Sequence, residues 1–367
     1  MPKFIPGLEL AEGYHRDIVA PILAREYPGL AHAAALMGGG SEVLGLDTET
    51  SMDHSWGPRF QLFLGEDCDA ALRGQVSDCL ARNLPHEYRG FPTSFYQPSA
   101  GNKFVTHMVG KTTGPVDHGI IVTTLQEFSK DKLGLDATRP LTEEEWLSLP
   151  GHELLVMVSG KVFHDDIGLA EMRAQLEFYP RDIWLFILGC NWWRLRRAEQ
   201  VVGRIGLLED ELGASVLTGR IVQDLMRLAF TMERQYVPYA KWQGSLFKNL
   251  KCASRLGPHL ATALSATGWM ERDAALVSAN ELLAKMHNAL GATKPVPEKS
   301  KLFLGRGYHF IDSGAIAKAL FEQVQSKRLS QLFRQRLLGN IDLITDNADM
   351  SVSVMSDGRI KRLFEPN

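Results

Sequence analysis

The chain has 367 residues, 45% of them hydrophobic and 23% charged, with a formal net charge of −3 and a pI near 6.4. At roughly 150 residues per domain this allows about two domains, each large enough for its own core. The composition excludes a disordered or collagen-like chain, and the acidic balance argues against a broad nucleic-acid-binding surface. Cys68, Cys79, Cys190 and Cys252 form no CxxC pair, so zinc-ribbon and thioredoxin-like readings lose support and free thiols in a reducing setting are expected. The N-terminal MPKFIPGLELAEGYHRD lacks the apolar core of a secretory signal. The longest apolar stretch, Trp184–Cys190, falls far short of the about 20 residues of a membrane helix. A cytoplasmic protein without a membrane partner is the expectation.

In chain order, Gly7–Ala24 spaces Leu8, Leu10, Tyr14, Ile18 and Ile22 as a helix does. A small-residue segment, His32–Ser41, follows. Arg59–Leu64 alternates as a strand, and the β-branched His118–Leu125 reads as a buried strand. Pro85–Asn102 is long enough for a functional loop. Glu153–Val158 and Lys161–Phe163, flanking Ser159-Gly160, read as a hairpin. Beyond Tyr179-Pro180 the pattern is helical. It is clearest over Leu217–Tyr236, continues to about Leu290, and resumes over Ser313–Leu338 after the linker Thr293–Ser300. The expected fold class is α+β. A small mixed sheet with flanking helices occupies 1–176, and an α-helical bundle occupies 177–367.

The most informative string is Gly38-Gly39-Gly40-Ser41, followed by Asp47, Glu49, Asp53 and Ser55. Consecutive glycines leave backbone N–H groups free to approach a polyanion, and a serine hydroxyl can donate to a phosphate. Carboxylates nearby can hold Mg²⁺ against that phosphate, since Mg²⁺ takes oxygen ligands. Read alone, the same string is also a plain loop with solvated or capping acids.

Gly40-Ser41, eleven further residues and then Asp53 resembles the Gly-Ser…Asp-x-Asp signature of polymerase-beta-like nucleotidyltransferases. The longer strings GSEVLGLDTETSMDHSWGPRFQLFL, GKVFHDDIG, FYPRDIWL, VVGRIGLLEDELG, DLMRLAF, ERQYVPYAKWQG and MHNALG resemble one uncharacterised family, a domain of unknown function with a nucleotidyltransferase-like N-terminal half. The resemblance implies a small mixed sheet followed by a helical bundle, as in antibiotic nucleotidyltransferases. It also implies an NTP substrate with Mg²⁺ held at Asp53. The chain departs from the signature at Ser55, where a second acid is expected. The strand His118–Leu125 carries no third acid, and Asp117 lies just before it.

In the helical half, Arg220, Asp224, Arg227, Thr231 and Arg234 fall on one helix face. They read either as a solvated stripe with an Arg220–Asp224 pair, or as arginines that bind phosphate or carboxylate in a cleft between domains. The following Tyr236-Val-Pro-Tyr239-Ala-Lys241-Trp242 reads as a ligand wall or as a packed turn with Lys241 extended along it. Trp192–Arg197 reads as a helix with arginine stems over tryptophans rather than a nucleic-acid surface. His164-Asp165-Asp166 reads as a strand end and turn, because adjacent strand residues point to opposite faces. His287 reads as a core histidine.

The leading expectation is a nucleotidyltransferase-like protein moving an NMP from an NTP to a small-molecule acceptor. Gly39, Gly40 and Ser41 would hold phosphates, Asp53 the metal, with Asp47 and Glu49 as supporting acids. Arg220, Arg227, Tyr239 and Lys241 would shape the acceptor side. The alternatives are a nucleotide- or metabolite-binding protein that has lost transfer, and a helical interaction module.

Overall fold

The structure, a computed structural model, describes residues 2–96, 106–335, 339–345, 347, 350 and 360–365. The chain is α+β and divides into two compact units. The first comprises Met1–Pro140 and Glu153–Glu177, the second Leu141–His152 and Phe178–Asn367. A single boundary at 176/177 does not describe this arrangement, because residues 141–152 go with the helical unit.

In the first unit, α1 (Gly7–Tyr14) and α2 (Ala20–Glu26) are joined without a break by a π-helical turn at His15–Val19. They bury Leu10, Tyr14 and Ile22, the face expected from their spacing. Four strands form the main sheet: β1 (His32–Leu36), β2 (Arg59–Leu64), β3 (Gly119–Thr124) and β4 (Lys161–Asp165). Their order is β3-β2-β1-β4. β1 runs antiparallel to both β2 and β4, and β2 runs parallel to β3, with Arg59 opposite Gly119 and Gln61 opposite Ile121. The alternation of β2 sends Phe60, Leu62 and Leu64 into a core shared with Ala34, Leu36, Tyr14 and Leu80. Arg59 and Gln61 therefore point to the other face.

Helix α3 (Ala70–Asn83) is capped by Asp69, which accepts from the Leu72 amide at 2.8 Å. Helix α4 (Leu125–Leu133) begins directly after β3, capped by the Thr124 hydroxyl. The loop from Pro85 holds two short antiparallel ribbons, Glu87–Tyr88 with Phe91–Pro92 and Ser94–Tyr96 with His107–Val109. Residues 97–102 of the expected functional loop lie outside the described residues.

After α5 (Glu143–Ser148), the segment expected as the first hairpin strand is a helix, α6 (Gly151–Val158). An unbroken apolar run carries no period, so it fits a buried strand and a buried helix equally well. What decides is the end of the element. The Arg173 guanidinium donates to the Val158 and Ser159 carbonyls, satisfying the last turn. Gly160 then takes φ of 74°. Its missing Cβ would stand 2.0 Å from the Leu36 carbonyl oxygen, so only glycine fits. Ser159-Gly160 is thus a helix stop leading into β4. Helix α7 (Leu169–Gln175) follows. Asp165 accepts from the Ile167, Gly168, Leu169 and Ala170 amides at its start, at 2.8–3.1 Å.

The second unit is helical: α8 (Arg181–Ala198), α9 (Val201–Gly206), α10 (Glu211–Met232), α11 (Ala240–Phe247), α12 (Ala253–Ser265), α13 (Trp269–Ala289), α14 (Ser313–Phe321), α15 (Lys327–Gln335) and α16 (Ile341–Ile344). Helix α8 packs on α10 and α14, and α13 on α9, α10 and α12. Helix α10 starts six residues before its expected start, at an Asp210 cap, and ends before Arg234, whose φ is +54°. Residues 336–338 of the last expected helical stretch lie outside the described residues. Trp184–Cys190 is buried within α8. No helix among the described residues is long and apolar enough to cross a membrane.

Candidate functional site

β1 ends at Leu36, and the glycine loop begins immediately beyond it. Gly38 is tethered by its amide to the Val156 carbonyl at 2.9 Å. The loop is held from beneath by a buried ion pair. Glu42, 2% exposed, accepts from Arg59 of β2, and Arg59 also donates to the Gly39 carbonyl at 3.2 Å. Gly40 takes φ of 118°, and a Cβ there would meet Glu42 Oε2 at 2.5 Å and Arg59 Nη2 at 2.6 Å. The Glu42–Arg59 pair therefore fixes the shape of the loop, and the loop leaves room for no side chain at Gly40.

Beside this loop lies a cavity of about 750 Å³, lined by Gly38, Gly39, Gly40, Ser55, Arg59, Gln61, Asp117, His118, Ile121 and Lys132, among others. That volume suits a small molecule of nucleotide size. Its floor is the β2–β3 face carrying Arg59, Gln61 and Ile121, and Ile121 is 50% exposed. Gln61 accepts from the Met37 amide at 3.1 Å, which locks its carboxamide. His118 is engaged at both ring nitrogens, Nε2 at 3.0 Å from the Ser77 carbonyl and Nδ1 at 3.3 Å from the Ile120 amide. The Ile120 amide donates to Nδ1, which makes Nε2 the donor to the Ser77 carbonyl. Asp117 is paired with Lys111 at 2.9 Å. Lys132 approaches the cavity from α4 and is about one-third exposed.

The expected acids stand elsewhere. Asp53 lies in a 3₁₀ turn six residues before β2; its carboxylate is 62% exposed and sits 2.7 Å from His54 Nδ1. Glu49 is exposed in the same turn. Asp47 accepts from the Gly7 amide at 2.7 Å and from Trp56 Nε1 at 2.9 Å. It thus satisfies a donor at the N-terminus of α1 and anchors a buried tryptophan. Ser55, with φ of +47°, lines the cavity; its hydroxyl accepts from the Thr106 amide at 3.3 Å and its own amide donates to the Thr106 carbonyl at 2.6 Å. Ser41 stands at the N-cap position of the 3₁₀ turn Glu42–Leu44 without a side-chain capping hydrogen bond. Among the described residues the cavity lining offers one carboxylate, Asp117, already paired with an amine. This is a sparse donor set for Mg²⁺, which at nucleotide sites takes one or two free carboxylates alongside phosphates and waters.

In the helical unit, Arg227 and Asp224 are buried at 7% and 4% exposure, against the solvated reading of the stripe. Asp224 does not pair with Arg220. It accepts from Arg194 at 2.8 Å and from Arg227 at 3.3 Å. The reason is that the C-terminal half of α10 is enclosed, so Asp224 and Arg227 find partners within the bundle. Arg220 is exposed and borders a 480 Å³ hollow with Trp193, Arg194 and Arg197. Arg196 lies 4.2 Å over the Trp193 ring, as expected for arginine stems on tryptophan. Tyr239 starts α11 and packs edge-on against His152 at 4.6 Å. Lys241 is exposed and lies 4.5 Å over Trp242. Beside Arg227, burial pushes His152 down to about 4 and Asp342 up to about 6. His287 is fully buried and held to Thr293 at 2.9 Å, and burial pushes it down to about 4.

Spacing alone did not single out Arg59, Gln61, Glu42 or Lys132. One signal was present: two polar residues at i and i+2 in an otherwise apolar strand share one face, and here that face is the cavity floor.

The model of a domain of unknown function (DUF4037) matches residues 146–243. That stretch runs from α5 to α11 and does not include the glycine loop. No curated protein and no solved structure matches the chain.

Proposed function

We propose that the first unit binds a nucleotide or a similar phosphate-bearing small molecule at the glycine loop, and that it does so without metal-assisted transfer. The observation that carries this reading is the identity of the two side chains on the β2 face beside the loop. They are Arg59 and Gln61, a cation and an amide, where metal chemistry would need carboxylates. Backbone N–H groups of a glycine loop and the ammonium of Lys132 suit phosphate oxygens. The exposed Ile121 offers an apolar surface for a base or sugar. Asp53, Asp47 and Glu49 act in folding or at the surface in this reading, and Arg220, Arg227, Tyr239 and Lys241 belong to the helical unit's own architecture. The resemblance of the Gly40-Ser41 string to nucleotidyltransferases supports this location for the ligand, and the side chains beside it support binding over transfer.

Calorimetric titration of ATP, GTP, CTP and UTP tests this. One of them should saturate a single site. Lys132→Ala should weaken that binding by about 1.5–3 kcal/mol, typical of a charged hydrogen bond, and change stability by under about 0.5 kcal/mol. Absence of binding by all four nucleotides overturns the proposal.

A further inference from the structure

At the opposite end of β1, and on the opposite face of the sheet, three metal-type donors converge. His32, His164 and Asp166 each offer one ligand atom, and these atoms lie within 4.8 Å of one another. The strand register brings them together. β4 is the edge strand beside β1, His164 pairs opposite Ala34, and the Asp166 amide donates to the His32 carbonyl at 2.9 Å. Residues 164 and 166 project to the same side, while Asp165 between them turns away to cap α7.

The three side chains are held in place by their neighbours. His32 Nδ1 lies 2.9 Å from the Leu30 carbonyl, which fixes the tautomer that leaves Nε2 as the acceptor. That Nε2 is buried and has no hydrogen-bond partner. A buried imidazole nitrogen with a bare lone pair is costly unless something occupies it. The ring stacks on His164 at 4.4 Å between centroids. His164 Nε2 and the Asp166 carboxylate hold each other at 2.6 Å. His15 closes the cluster from the π-helical turn, a distortion frequent at functional sites. It is 5% exposed, and its Nε2 also lacks a partner.

We propose that this sheet edge binds a first-row divalent transition ion of the Zn²⁺ type, held by His32 Nε2, an imidazole nitrogen of His164 and a carboxylate oxygen of Asp166. Two imidazoles and one carboxylate suit Zn²⁺ or its neighbours and not Mg²⁺ or Ca²⁺. Metal–donor bonds of about 2.0–2.2 Å place tetrahedral ligands about 3.3 Å apart, so small side-chain rotations complete the site. Water takes the fourth position, reached through the partly exposed His164 and Asp166. The site is independent of the nucleotide-binding reading.

The test titrates Zn²⁺ alone into the full chain after dialysis against a chelator. One equivalent should bind and raise the thermal midpoint. Co²⁺ in its place should give weak visible bands without a thiolate charge-transfer band. His164→Ala and Asp166→Asn should each weaken binding at least ten-fold while the circular dichroism stays that of wild type. Asp166→Asn changes only an exposed carboxylate and guards against a folding artefact. Failure of wild type to bind Zn²⁺, a thiolate band with Co²⁺, or unchanged affinity in both variants overturns the proposal.

Discussion

Strand β1 has two ends of opposite chemistry. Beyond Leu36 the chain turns into glycines, and the neighbouring strand presents Arg59 and Gln61. Around His32 the other neighbouring strand presents His164 and Asp166. The first end suits an anion and the second a cation. β1 itself contributes only His32 to the second end, and its middle is three buried alanines. The rest of each end's character follows from which alternate residues the two flanking strands turn toward it. Ligand chemistry here is a property of strand register, and a motif spaced along one strand is a weak guide to it.

The largest effect should come from the pair that shapes the anion end. Glu42→Ala leaves Arg59 without its buried partner. It should cost about 3–5 kcal/mol of stability in denaturant unfolding, the cost of breaking a buried ion pair from one side. The loop anchored through Arg59 should loosen, and nucleotide affinity should fall with it. A loss under about 1 kcal/mol would mean that the pair is not what holds the loop.

Ser55→Asp sharpens the contrast in chemistry. Position 55 lines the cavity at a left-handed φ that aspartate tolerates. A carboxylate there repels phosphate, so affinity measured in EDTA should drop, and Mg²⁺ should recover part of it. Recovery above the wild-type value would show that the cavity was one ligand short of a metal site. The smallest effect belongs to Asp53→Asn. This exposed side chain should alter neither nucleotide affinity nor stability by more than about 0.5 kcal/mol. A ten-fold loss of affinity would place Asp53 at the ligand after all.

Much of the scaffold was legible in the chain. Strands β2 and β3 announced themselves by alternation and β-branching, and α10 by its period, although its ends were misplaced by a few residues. Helix α6 was not, because Leu154–Val158 is apolar throughout and the arginine that caps it comes fifteen residues after Val158. The glycine loop was legible as a loop with open backbone. The roles of the acids were not. Asp47 is claimed by the Gly7 amide, forty residues away in sequence, and no local spacing reveals that bond. The meeting of His15, His32 and His164 likewise needs a π turn and an edge-strand register that only the folded sheet supplies. The polar pair within RFQLFL shares one strand face, which a spacing of acids along the chain does not reveal.

The central claim is that the anion end binds its ligand through cations and backbone amides and not through a metal. Its most direct test compares the affinity of the best-bound NTP in EDTA with that in excess Mg²⁺, while pyrophosphate release is monitored. The account predicts binding in EDTA at least as tight as in Mg²⁺, since free NTP carries more negative charge, and no pyrophosphate. Binding that appears only with Mg²⁺, accompanied by pyrophosphate release, would contradict it and restore a transferase.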